Sequence, residues 1–177
     1  MSSIFTSVLS CLCFIFVFVN PLGAAWQKPT SLVYNAGGGL DSTRPQVAVD
    51  ANGNAIAVWE SDNGTNTTIR AATLPFNATN WSTSTLVYDA GGGLNSTQPQ
   101  VAVDPNGNAI AVWYSNNGTN TTIRAATLPF NAANWSASTL VYDAGGGLNS
   151  FDPQVAVDAN GNAVAVWYSK ESLIFST

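Results

Sequence analysis

The strongest constraint on this chain is a fifteen-residue segment that occurs three times at a fixed distance. It reads PQVAVDANGNAIAVW from Pro45 to Trp59, PQVAVDPNGNAIAVW from Pro99 to Trp113, and PQVAVDANGNAVAVW from Pro153 to Trp167. The start points differ by 99 − 45 = 54 and 153 − 99 = 54 residues, so the period is constant. Within each copy two segments rich in Val, Ile and Ala flank a D-x-N-G-N turn. Asn-Gly between such segments is a strong hairpin signal, because both residues tolerate the positive φ that a type I′ turn requires. A period of this length built on hairpins implies a repeat architecture, one supersecondary unit per period.

The rest of each period supplies two more strands. After Trp59 a polar loop, ESDNGTN, leads into TTIRAATL (Thr67 to Leu74), and PFNATN then turns the chain into WSTSTLVY (Trp81 to Tyr88). WSASTLVY follows at Trp135 to Tyr142, and WQKPTSLVY at Trp26 to Tyr34 matches the same strand without the earlier ones. Four short strands per period is the expectation, each of ordinary length. From Pro45 to Ser82 and from Pro99 to Ser136 only Ala51/Pro105, Glu60/Tyr114, Asp62/Asn116 and Thr79/Ala133 differ. The third unit keeps the pattern to Ser169 and then departs into KESLIFST, either a degenerate short strand (Ser172 to Ser176) or the scar of a truncated reading frame.

Apolar residues point to both faces of these strands. Val47 and Val49 face one way and Ala48 the other. Ala55, Ala57 and Trp59 share a face, with Ile56 and Val58 opposite. Strands of this kind are buried on both sides. Small Ala residues let neighbouring sheets approach, and the repeated Trp reads as a core residue filling the gap between them. Pro45, Pro99 and Pro153 open their strands, where a missing N–H does least harm.

The P-x-V-A-V-D-x-x-G-N-A-x-A-V-W hairpin, the I-R-A strand and the W-S-x-S-T-L-V-Y strand together resemble the repeats of secreted bacterial β-propeller proteins. The resemblance covers Trp26 to Ser169 and implies an all-β fold of about three four-stranded antiparallel blades. The S-x-D-x-G-x-x-W box of sialidase-type propellers is not present, nor are WD or kelch signatures. Three blades do not close a ring, since propellers have about four to eight. Two expectations stand side by side: a partial propeller cut from a longer one, or half of a six-bladed ring completed by a second copy in a homodimer.

At the N-terminus Ile4 to Val19 is mostly apolar and Leu22-Gly23-Ala24-Ala25 follows, as in a secretory signal peptide cleaved after Ala25. No Lys or Arg precedes the apolar run, so an uncleaved membrane anchor is the alternative; both export the rest. The expected organisation is a signal peptide at 1–25 and a propeller-like repeat domain at 26–177, with repeats at about 45–98, 99–152 and a truncated 153–177. Charged residues make up 8% of the chain against about 25% in ordinary soluble domains. Asn, Thr, Ser and Gly must therefore supply the polar surface. The five basic residues are scattered and the net charge is −5, so the clustered basic footprint of a nucleic-acid binder is missing.

Catalytic options are narrow. The chain has no His, and its two cysteines, Cys11 and Cys13, lie in the apolar leader. Ser-His-Asp and Cys-His arrangements and the usual zinc sites cannot be assembled. Asp50, Asp104 and Asp158 recur at equivalent turns and read as turn-stabilising carboxylates, not as the dissimilar pair a glycosidase needs. D-x-N-G-N does not match the EF-hand ligand spacing. The A-G-G-G-L segments lack a following helix for anion binding and read as turns between blades. No cofactor or metal is expected.

The D-x-N-G-N and P-F-N-A-x-N turns should share one rim of the blades, and the GGGL and NNGTN loops the other. On this second rim Asp41, Asn95 and Asn149, with Asn63 and Asn117, form a repeated polar set. Amides donate and accept, which suits sugar hydroxyls, and loops on a rigid scaffold are where binding residues reside. The expected function is a secreted, non-catalytic, lectin-like module recognising carbohydrate or another surface ligand at repeated sites that act multivalently. The alternatives are a structural or adhesive surface protein, and a fragment of a longer, hydrolase-like propeller.

Overall fold

The computed structural model describes residues 37, 38 and 40–170, all within one compact unit spanning 33–177. The expected signal peptide, the Trp26 to Tyr34 strand and the short strand at Ser172 to Ser176 lie outside the described residues. Ten strands and no helix occur among those residues. β1 (Ser42–Val49), β2 (Ala55–Asp62), β3 (Thr67–Leu74) and β4 (Thr85–Tyr88) form one antiparallel sheet in that order. β5 (Ser96–Val103), β6 (Ala109–Asn116), β7 (Thr121–Leu128) and β8 (Thr139–Tyr142) repeat it, and β9 (Asn149–Val157) pairs with β10 (Ala163–Lys170). These are two complete blades and the inner half of a third.

Register follows the period-2 pattern. Val47 pairs with Ala57 and Val49 with Ala55, while Ala48 pairs with Ile56. Each blade therefore has a face of Val, Ala and Trp and an opposite face of Ile and Val. The Ile/Val face of one blade packs on the Val/Ala/Trp face of the next. Val58, Ile69, Ala71 and Val87 of the first blade close over Ala111, Trp113 and Ala126 of the second. Ile56 meets Ala109 and Leu128, with Val101 and Val103 alongside. Burying each Val, Ile or Leu of these clusters stabilises by about 1.5–3 kcal/mol, and the Ala residues less. The Trp is a core residue as its position foretold: Trp113 is fully buried, and Tyr88 of the preceding blade tilts against it at 5.3 Å. Tyr142 meets Trp167 in the same way at 5.2 Å.

The hairpin turn differs from the type I′ expectation. Gly53, Gly107 and Gly161 have φ near +85°, but the preceding Asn52, Asn106 and Asn160 do not take positive φ. Gly53 N–H instead donates to the Asp50 carbonyl at 3.1 Å, and Asp50 N–H to the Asn54 carbonyl at 2.9 Å. The turn is right-handed and ends on a left-handed glycine, a common three-residue hairpin loop. The cause is the Asp50 carboxylate, whose Oδ1 accepts from both Asn52 N–H and Asn54 N–H at 2.8 Å. Asp104 and Asp158 do the same one and two periods later. The shared rim is confirmed: Phe130 lies so close over Gly107 that a Cβ there would sit 2.6 Å from its ring.

Candidate functional site

β1, β5 and β9 are the innermost strands of their blades and lie against one another in turn. Each carries a bulge in its first half: the register slips between Thr43 and Gln46, and between Thr97 and Gln100. At the slip stand Arg44, Gln98 and Asp152, with φ of 50°, 52° and 51°. Non-glycine residues in this region are strained by about 1–3 kcal/mol, and such strain clusters at functional sites. The next residue is Pro in every copy, which holds the bulge outside the ladder. Side chains from the three bulges line a concavity of about 320 Å³ with Gln46, Gln100 and Gln154. The side-chain amide oxygen of Gln98, Oε1, is buried and has no hydrogen-bond donor among the described residues.

The chemistry of this axial position changes from blade to blade: a guanidinium, an amide and a carboxylate, over a constant set of three glutamine amides. Aligning the sequence one step upstream of Pro45 exposes the signal, since DSTRPQ, NSTQPQ and NSFDPQ agree in Ser, Pro and Gln and differ at the residue before Pro. The stretch of near identity begins at Pro45, one residue beyond the position that varies.

Arg44 is anchored by Glu60, which sits on β2 and is buried. Arg44 Nη1 donates to both Glu60 oxygens at 2.9 Å, and Thr43 Oγ1 donates to Oε2 at 3.1 Å. From the next blade, Gln98 N–H donates to Oε1 at 2.6 Å and the Thr97 hydroxyl also donates to it. Burial pushes the Glu60 carboxyl up, but the Gln98 N–H, the Thr97 hydroxyl and Arg44 together outweigh it and hold the pKa below the usual value. Glu60 is therefore an ionised strut that fixes Arg44 at the concavity's edge.

The rim residues are placed differently. Asn95 Oδ1 accepts from Thr67 N–H of the preceding blade at 2.8 Å, and Asn149 Oδ1 accepts from Thr121 N–H at 2.8 Å. Asn63 Oδ1 accepts from Thr65 and Asn66 N–H, and its Nδ2 donates to Asp89. Asn117 repeats this with Thr119, Asn120 and Asp143. Asp41 is exposed and accepts from Asp62 N–H through its backbone carbonyl at 2.9 Å. None of the five lines the axial concavity, and no two of them bond to each other. The amide oxygens of the four asparagines are spent on the scaffold; the Nδ2 groups of Asn95 and Asn149 have no protein acceptor among the described residues. Among those residues no group of three or more His, Cys, Asp or Glu could hold a metal ion.

No protein-family model matches the chain, and no curated protein sequence does. Solved structures match it by shape. The "Hadza microbial sialidase Hz136" aligns at a TM-score of 0.53 and 13% identity over 68% of this chain and 30% of that one. An α-L-arabinanase of Penicillium chrysogenum, solved with arabinobiose, aligns at a TM-score of 0.50 and 15% identity over 78% of this chain and 45% of its own. The fold is that of β-propeller blades. The chain spans less than half the length of either protein.

Proposed function

We propose that this chain is an exported, non-catalytic carbohydrate-binding module that seats its ligand in the axial concavity, with the Asn95 and Asn149 amides as outlying donors on the rim. The observation that carries this reading is the axial position itself, where three equivalent strained residues differ in chemistry while the surrounding blades are near copies. Four glutamine amides, a fixed guanidinium and a carboxylate offer both donors and acceptors to hydroxyl groups. A shape held by bulges loses little freedom on binding. The names of the two matched proteins, a sialidase and an arabinanase, support carbohydrate as the ligand class.

The test is glycan binding by the full chain, first on an array and then by calorimetry, with arabino-oligosaccharides included. Gln100→Ala and Asp152→Asn should each weaken binding about tenfold, the scale of one lost hydrogen bond to a charged or buried group. Asn63→Ala should leave affinity unchanged. Absence of binding to any glycan would return the chain to a structural or adhesive role. A second reading, part of a longer propeller glycosidase, is favoured by two carboxylates in different settings near the axis, Glu60 braced by Arg44 and Asp152 exposed. Release of reducing ends from a bound oligosaccharide would establish it and overturn the non-catalytic reading.

A further inference from the structure

The two ends of the blade stack are halves of an interface that the chain already forms twice. On the third blade Val164, Val166 and Tyr168 are 66%, 59% and 55% exposed. Their equivalents two periods earlier are Ile56, Val58 and Glu60, all buried against the second blade. On the first blade Val47 and Val49 are 62% and 59% exposed, whereas Val101 and Val103, one period later, pack against the first blade. The exposed Val164 and Val166 at one end and the exposed Val47 and Val49 at the other are thus the inner parts of the two faces that meet at each internal junction; Trp59, further out on the same face as Val47, is only 5% exposed.

We infer that a second copy of this chain docks head to tail, its Val47 and Val49 seating on Val164 and Val166, and that the reciprocal contact closes a dimer. The occupant is a second copy because the internal junctions show what each face takes. Val58 packs in one cluster with Val101, so Val166 takes Val47; Ile56 packs with Val101 and Val103, so Val164 takes Val47 and Val49. Tyr168, like Tyr114 before it, then stands where the next blade presents its bulge, opposite Thr43 and Arg44 of the second copy. Docking also completes the axial concavity, to which the second copy brings its own Arg44, Gln98 and Asp152. A heterologous contact that closes gives a ring, and one that does not gives an open filament.

Light scattering on a sizing column with the full chain is the test. The expected mass is twice that of one chain. Val166→Lys and Val47→Lys, both at exposed positions and so neutral to the fold of a single chain, should each halve it. Mixing the two variants leaves one intact interface and should restore a dimer. The double variant Val47→Glu with Val166→Lys should dimerise again through the new ion pair. A monomeric native chain overturns the proposal, as does an open-ended series of masses. A dimer that survives Val166→Lys and Val47→Lys also overturns it, since its contact would lie elsewhere, such as the apolar N-terminus.

Discussion

The two internal junctions share a backbone and differ in what closes them beside the axis. Between the first and second blades the contact is ionic: Glu60 accepts from Arg44 and Thr43 of its own blade and from Thr97 and Gln98 N–H of the next. Between the second and third blades the equivalent positions are Tyr114 and Phe151, whose rings meet edge to face at 5.3 Å and 85°. Positions 60 and 97 have become 114 and 151 as a pair, acid with hydroxyl on one side and ring with ring on the other. Each junction is therefore a two-residue unit, and mixing halves would strand either a buried carboxylate against a ring or a phenol against a hydroxyl.

The largest effect is expected from Glu60→Ala. It leaves the Gln98 N–H, the Thr97 hydroxyl and Arg44 without their shared acceptor. Unpaired buried donors cost about 1–3 kcal/mol each, but Arg44 is 55% exposed and rehydrates. A loss of about 2–3 kcal/mol by urea denaturation is the expected outcome, with the first blade opening before the second, as nearest-neighbour repeats permit. A loss below about 0.5 kcal/mol would mean that the ionic cluster does not hold the junction. Tyr114→Ala should cost less, about 1–2 kcal/mol, since the ring is half-buried and the edge-to-face pair adds about 0.5–1.5 kcal/mol to area burial.

Exchange of the whole unit separates the two designs. Glu60→Tyr alone should destabilise, while Glu60→Tyr with Thr97→Phe should lie within about 1 kcal/mol of the native chain. The difference is the coupling between contacting residues. The same exchange changes the pH response. The Glu60 pKa is lowered in the folded state, so its contribution is present above the unfolded carboxylate pKa and is lost as pH falls through the folded value. Asp50, Asp104 and Asp158 are also lowered, chiefly by the Asn54, Asn108 and Asn162 side chains, and lose stability in the same direction. Acid titration of the exchanged chain, followed by fluorescence, should keep the shared aspartate component and lose the Glu60 step. Identical acid curves for the two proteins would show that Glu60 does not titrate with folding.

Much of the blade was legible because a period of 54 repeats every error-prone inference three times. Strand faces, the buried Trp and the shared rim of Gly53 and Phe76 follow from alternation and spacing alone. The turn type did not, because Asn-Gly propensity speaks for the backbone while the Asp50 carboxylate, two residues before the Asn, decides it. The axial site was hidden for a related reason. A residue before Pro is steered towards extended backbone, so Arg, Gln and Asp there do not announce a positive φ; the bulge shows only in the register of the paired strands. The rim asparagines were legible as polar and repeated, but composition does not say whether an amide faces a ligand or a neighbouring strand's N–H.

The smallest change proposed is the most discriminating. Tyr114→Phe removes only a hydroxyl that makes no hydrogen bond among the described residues, and it keeps the ring that meets Phe151. If the second junction is held by ring packing, the variant should stay within about 0.5 kcal/mol of the native chain in urea denaturation. A loss above about 1 kcal/mol would mean that the phenol, not the ring, ties the junction to the axial cluster. The two junctions would then be variants of one polar design, with the hydroxyl of residue 114 standing in for the carboxylate of residue 60.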